Sequence, residues 1–157
     1  DQALIAQLSQ WLQPDLAGIT KRAVLATIDI AAALPRLLDW RQHQALETLA
    51  PQRVAIPSGR MALVDYQPVA GPVLAIKLQE MFGATATPHI LAGRVPLTLQ
   101  LLSPAGRPLA TTQDLGNFWQ AVYPQVRAEM RGRYPRHPWP ENPLDAEATR
   151  RAKPRRG

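Results

Sequence analysis

Before Arg53 the apolar residues recur every third and fourth position, and from Arg53 the pattern first alternates at every second before helical spacing returns, so the change of period divides the chain. Leu4, Ile5, Leu8, Trp11 and Leu12 make one helical stripe, expected to stop at Pro14, whose ring and missing N–H oppose an uninterrupted helix. Asp29 is placed as the N-cap of a short helix over "IAAAL", which Pro35 interrupts. "WRQHQALETLA" predicts a further helix that starts after Asp39 and ends before Pro51. Residues 1–51 are therefore expected to be a helical segment.

"RVAIPSGRMALVDY" predicts a β-hairpin: Val54 and Ile56 precede a Pro-Ser-Gly turn, and Met61 and Leu63 then alternate with Ala62 and Val64. "PVLAIKLQEMFG" is expected to return to a helix, with Leu74, Leu78, Met81 and Phe82 on one face and Gly83 as its C-terminal cap. A second hairpin is expected over "RVPLTLQLLSPAGRPLATT", with Leu97, Leu99 and Leu101 toward the core and Gly106 supplying the positive φ of the turn. Asp114 caps a last helix carrying Leu115, Trp119, Val122, Val126 and Met130, and Pro124 requires either a kink or a division into two helices. The fold class is α+β: residues 52–132 form a core of two hairpins in one antiparallel sheet backed by helices, with an OB-like small barrel as the alternative. Residues 133–157 have no period and five prolines, which predicts an extended basic tail.

Charge changes that picture most at the C-terminal end. Residues 1–126 hold nine basic and eight acidic side chains, whereas 127–157 hold nine and four, so a net charge of +6 is concentrated in the last fifth of the chain. Such an asymmetry points either to a polyanionic partner or to a basic tail that serves only as a solubilising extension. In "RGRYPRHPWPENP" and the tail after it, Arg131, Arg133, Arg136, Arg150, Arg151, Lys153, Arg155 and Arg156 suit phosphates, and Tyr134 and Trp139 suit stacking on bases. The alternative for the two rings is docking on the domain's own apolar surface, with the prolines stiffening a strap. Four of the nine glycines precede arginine, at Arg60, Arg94, Arg107 and Arg133; turn formation explains the pairing, and a rim of phosphate-binding arginines is the sharper alternative.

Other chemistries find little support. The chain has no cysteine, so it can form neither a disulfide framework nor a thiolate metal site, and a cytosolic setting is compatible with this. His43, His89 and His137 lie far apart with no ligand spacing, and Ser58 and Ser103 sit in proline turns, so no metal and no catalytic residue is expected. No apolar run approaches the roughly 18 residues of a membrane span, so no membrane partner is expected. The start at Asp1, already in helical rhythm, suggests a piece of a longer protein.

The segments "VAIPSG", "VLAIKLQEMFG", "GRVPLTLQLLSPAGRPLATTQDL", "FW" and "VRAEMRGRYPRHPWPENP", in this order and through the "RRAKPRR" ending, resemble the C-terminal region of the HrpB family of bacterial DEAH-box helicases. The resemblance implies a cytoplasmic superfamily 2 motor that couples ATP hydrolysis, with magnesium, to remodelling of nucleic acid, RNA being the expected substrate. It implies that this chain is the accessory C-terminal domain, that its partners are the motor domains of the same protein and single-stranded RNA or another nucleic acid, and that the cofactors belong to the motor. The phosphate loop, the D-E-x-H box and the arginine-finger motif have no counterpart here. No catalytic or cofactor-binding residue carries over. A module that braces the motor through protein contacts is the second expectation.

Overall fold

The computed structural model describes residues 2–151, in two compact units that divide between Thr48 and Leu49. The first unit is helical. Its apolar stripe does not run as one helix: α1 (Gln2–Ala6), α2 (Leu8–Trp11) and α3 (Gln13–Leu16) are short pieces, and Pro14 lies in the first turn of α3, where its missing N–H has no intrahelical partner to lose. The expectation that Pro14 ends the helix is therefore corrected. After α4 (Arg22–Leu25), Asp29 caps α5 (Ile30–Ala33) by accepting from the Ala32 N–H at 3.0 Å, and Pro35 begins a 3₁₀ turn over Leu34–Leu37. Trp11, Leu12 and Ala33 form a small core. α6 (Trp40–Leu49) opens on a reciprocal capping box: the Gln42 N–H donates to Asp39 Oδ1 at 2.8 Å and the Asp39 N–H to Gln42 Oε1 at 2.9 Å.

The second unit is α+β. β1 (Arg53–Ala55) and β2 (Met61–Leu63) form the first hairpin, and β6 (Thr98–Leu102) and β7 (Pro108–Thr112) form the second. Gly106, at φ +82°, closes the second turn by donating its N–H to the Ser103 carbonyl at 2.9 Å. The expected helix over 72–83 is instead β3 (Val73–Lys77) followed by a 3₁₀ turn, Leu78–Met81. Alternation explains this: Leu74 and Ile76 point inward and Ala75 outward, and β3 lies parallel to β6 in register Leu74↔Leu99 and Ile76↔Leu101. The sheet is thus β3-β6-β7 and mixed, so the two hairpins do not share one antiparallel sheet. A bridge, Asp65↔Val73, joins the first hairpin to β3, and among the described residues the strands form three separate sheets that do not close into a barrel.

A parallel pair needs a long crossover. Here it runs over residues 78–97 and contains the small ladder of β4 (His89–Ile90) and β5 (Val95–Pro96). Buried Thr87 anchors it, since its hydroxyl donates to the Gln113 carbonyl at 2.8 Å and accepts from the Leu115 N–H at 3.0 Å. The last helical element starts at Asp114, whose carboxylate accepts from the Asn117 N–H at 2.9 Å. α7 (Leu115–Asn117) passes through a π-helical turn, Phe118–Val122, into α8 (Tyr123–Arg133). Pro124 sits in the first turn of α8, and the widened turn before it relieves the clash its ring would make with the carbonyl four residues back.

This helix lays Phe118, Trp119 and Tyr123 on the sheet side, where they meet Phe82 and the inward leucines. Trp119 and Tyr123 pack edge to face with ring centroids 5.3 Å apart. Tyr123 is 1% exposed, its hydroxyl donates to the Pro140 carbonyl at 2.8 Å, and burial pushes its pKa up to about 12. The folded protein therefore holds this proton where an unfolded tyrosine, near pH 10, loses it, so stability present below pH 10 falls as pH rises toward 12. Tyr123→Phe is expected to cost about 1 kcal/mol at neutral pH, as one lost hydrogen bond does, and to flatten that alkaline decline; urea unfolding across the range reads both effects.

Candidate nucleic-acid interface

The segment after α8 lies on the surface of the second unit, and proline chemistry accounts for how it is held. Prolines 135, 138, 140 and 143 offer carbonyls but no N–H that would need a partner. Donors of the domain meet those carbonyls and their neighbours: Tyr123 Oη to Pro140, Arg127 Nε to the Trp139 carbonyl at 3.0 Å, and the Gly83 N–H to Pro143 at 2.9 Å. Gly83, at φ +79°, ends the 3₁₀ turn in a conformation that aims this N–H at the strap. Farther along, the Thr149 N–H donates to the Gln79 carbonyl at 3.0 Å. Residues 134–149 are a docked strap.

The site residues expected from the sequence separate into three groups. Trp139 belongs to the strap: its ring packs partly buried against the core, and its indole N–H donates to the Tyr134 carbonyl at 2.9 Å. Arg150 pairs with Glu80, Nε to Oε1 at 3.5 Å, and Glu80 is 2% exposed. The same carboxylate accepts from Arg60 Nε at 2.9 Å and from the Ser58 hydroxyl at 3.3 Å. Arg60 is thus an internal partner and not part of a phosphate rim. Arg151 is exposed, and Lys153, Arg155 and Arg156 lie outside the described residues.

Arg131, Arg133, Tyr134 and Arg136 form the third group, at the C-terminal end of α8 and the turn beyond it. All three arginines are exposed, and among the described residues none has a carboxylate within ion-pair distance. Tyr134 is half-buried between two clefts. One, of about 220 Å³, is lined by Ser103, Arg107, Glu129, Met130, Arg133 and neighbouring residues, and the other, of about 300 Å³, by Arg133, Tyr134, Pro135, Arg136 and His137. Arg131 and Arg133 also oppose the negative end of the α8 dipole. Burial, then the charges of Lys77 and Arg136, hold the His137 imidazole below its ordinary pKa of 6.5. Sequence reasoning missed Lys77, which only the β3 strand brings near residue 137, and passed over His137 although it stands in the same stretch as Tyr134 and Arg136. It likewise missed Glu80 and Arg127, which carry no local pattern.

Cationic and aromatic groups presented together without a competing ion pair can bind a polyanion by its backbone and stack on its bases. Among the described residues no group of three or more His, Asp or Glu side chains could hold a metal ion, and the sequence has no G-x-x-x-x-G-K-[ST] phosphate loop. No helix of the described residues is long and apolar enough to cross a membrane.

The second unit is thus an α+β fold with exposed arginines at the C-terminal end of α8. The family model for the ATP-dependent helicase C-terminal region matches residues 11–143, and the chain belongs to that family. It is similar to the ATP-dependent RNA helicase HrpB of Escherichia coli (strain K12), with 44% identity over 153 residues that make up 98% of this chain and 19% of that protein. Its structure is similar to the crystal structure of E. coli DExH-box NTPase HrpB, with a TM-score of 0.85 at 44% identity, over 97% of this chain and 19% of that one. It is also similar to the crystal structure of Escherichia coli DEAH/RHA helicase HrpB, with a TM-score of 0.68 at 42% identity, over 88% and 18%. The chain spans about a fifth of the length of these relatives.

The ion pairs of the strap and the hairpin differ in burial, which sets their worth. Glu80→Ala removes the shared acceptor of Ser58, Arg60 and Arg150 and is expected to lower unfolding free energy by about 1–3 kcal/mol. Arg150→Ala removes one largely exposed partner and should cost under about 1 kcal/mol; chemical denaturation of the two variants side by side checks the order.

Proposed function

We propose that this chain is the accessory C-terminal domain of a cytoplasmic ATP-dependent RNA helicase, and that it adds a sequence-independent grip on single-stranded RNA. ATP and magnesium then belong to the motor domains of the longer protein, whose chemistry this domain serves by holding the strand. Arg131, Arg133 and Arg136 contact phosphates, Tyr134 offers a stacking face, and Arg107 and Lys77 extend the positive surface. The observation that carries the reading is the gathering of exposed, unpaired arginines around one half-buried aromatic ring, at a helix end fixed by the docked strap. Trp139 acts here by positioning Tyr134 through its indole hydrogen bond and not by stacking on bases. Such contacts discriminate little between sequences, because every phosphate is alike and every base has a π face.

A second reading, a brace that contacts the motor domains, is favoured by a different surface: Met61, Leu63 and Val69 of the first hairpin and its exit are exposed apolar side chains. RNA binding distinguishes the two.

Fluorescence anisotropy with single-stranded RNA across a salt series is the test. The double variant Arg133→Ala/Arg136→Ala should bind more weakly and reduce the slope of log K against log salt by about 1.4, two contacts at roughly 0.7 each. Absence of RNA binding by the intact chain would assign the domain to the bracing role, and an unchanged slope would remove Arg133 and Arg136 from the contact. Point variants are preferable to truncation at Gly132, which would strip Tyr123, Arg127 and Gly83 of their strap acceptors and disturb the fold itself.

A further inference from the structure

We propose that the cleft lined by Arg133, Tyr134, Pro135, Arg136 and His137 seats one backbone phosphodiester of a single strand, and that His137 takes up a proton as the phosphate enters. The inference rests on the nucleic-acid reading above and assigns His137 a role in it.

The cleft holds about 300 Å³, and among its lining residues are two arginines and no carboxylate. His137 closes a turn with Tyr134: its N–H donates to the Tyr134 carbonyl at 3.1 Å, and the rings meet edge to face with centroids 6.3 Å apart. The ring is therefore fixed beside the face offered to a base. Among the described residues, the charged side chains that line the cleft beside it are Arg133 from the end of α8 and Arg136 from the strap, and the charge of Lys77 from β3 also reaches it. In the unliganded protein this surrounding disfavours the imidazolium, after the larger effect of burial. A phosphodiester reverses the sign of the local field, so the imidazolium becomes a further donor to it. The phosphodiester stays ionised throughout the range in which histidine titrates, so any proton taken up belongs to the protein.

Linkage fixes the direction. If binding raises the His137 pKa, the complex holds more protons than its separated parts, and affinity rises as pH falls through the region just below and around 6.5. The slope can reach about tenfold per pH unit where one full proton is taken up.

The test uses the full chain and a short fluorescein-labelled oligouridylate at low salt, with anisotropy titrations from about pH 5.5 to 7.5. The expected result is binding at least roughly threefold tighter at the acid end, with His137→Gln losing most of that dependence. His43 and His89 remain in both proteins and serve as internal controls. Equal pH dependence in the intact chain and the variant would overturn the proposal while leaving the nucleic-acid reading in place. Absence of binding by the intact chain at every pH would overturn both. Should His137→Gln fail to fold, Lys77→Met supplies a second readout, since removing that cation must shift the midpoint of the pH profile upward; an unmoved midpoint would count against the assignment.

Discussion

A buried hydroxyl has to find an acceptor, and the placement of the C-terminal strap follows from that requirement at Tyr123. The ring is enclosed by Trp119, Phe82 and the sheet, and its one polar atom emerges where water does not reach freely. A chain rich in proline answers this need well, because it brings carbonyls without bringing N–H groups of its own to be satisfied. Pro140 takes the hydroxyl, Arg127 takes the carbonyl one residue earlier, and Gly83 fixes the chain three residues later. The fixed strap in turn determines where Tyr134, Arg136 and His137 stand.

The same strap divides the cations of the C-terminal region by role. Arg60, Arg127 and Arg150 face carboxylates of the domain and contribute to holding hairpin, 3₁₀ turn and strap together. Arg131, Arg133 and Arg136 face solvent at the helix end. Composition alone counts five of these six in one basic end, yet of the six only Arg131, Arg133 and Arg136 stand without a carboxylate partner among the described residues. The sharing of Glu80 between Arg60 and Arg150 makes the point physically: a buried carboxylate retains its partners because leaving it unpaired is costly, whereas an exposed arginine can exchange water for phosphate at little cost.

Much of this architecture was legible in the sequence where local rules dominate. Asp29, Asp39 and Asp114 cap the helices they precede, Gly106 makes the turn it was expected to make, and Pro124 marks a division within the last helical element. Residues 73–82 show the limit. Leu74, Leu78, Met81 and Phe82 are all buried, as a helical face requires, but a strand followed by a 3₁₀ turn buries the same four, and parallel pairing to β6 decides between the two. That pairing spans 25 positions, beyond any local period. The family was legible from the ordered segments shared with helicase C-terminal regions. At the end of α8 the arginines, Tyr134 and His137 stand in one short stretch of sequence, whereas Lys77 comes near them only through the fold, and Trp139 packs on the domain's own core, one of the two placements the sequence allowed.

Hydrogen exchange at the strap contacts tests the central claim most directly. The account predicts that the Trp139 indole N–H and the backbone N–H groups of Gly83 and Thr149 exchange far more slowly than an unstructured chain and together with the core strands, because each donates into the docked segment or from it. Exchange of these three protons at unstructured rates, with β6 still protected, would contradict it, since the strap would then be a free tail and Tyr134, Arg136 and His137 would have no fixed place.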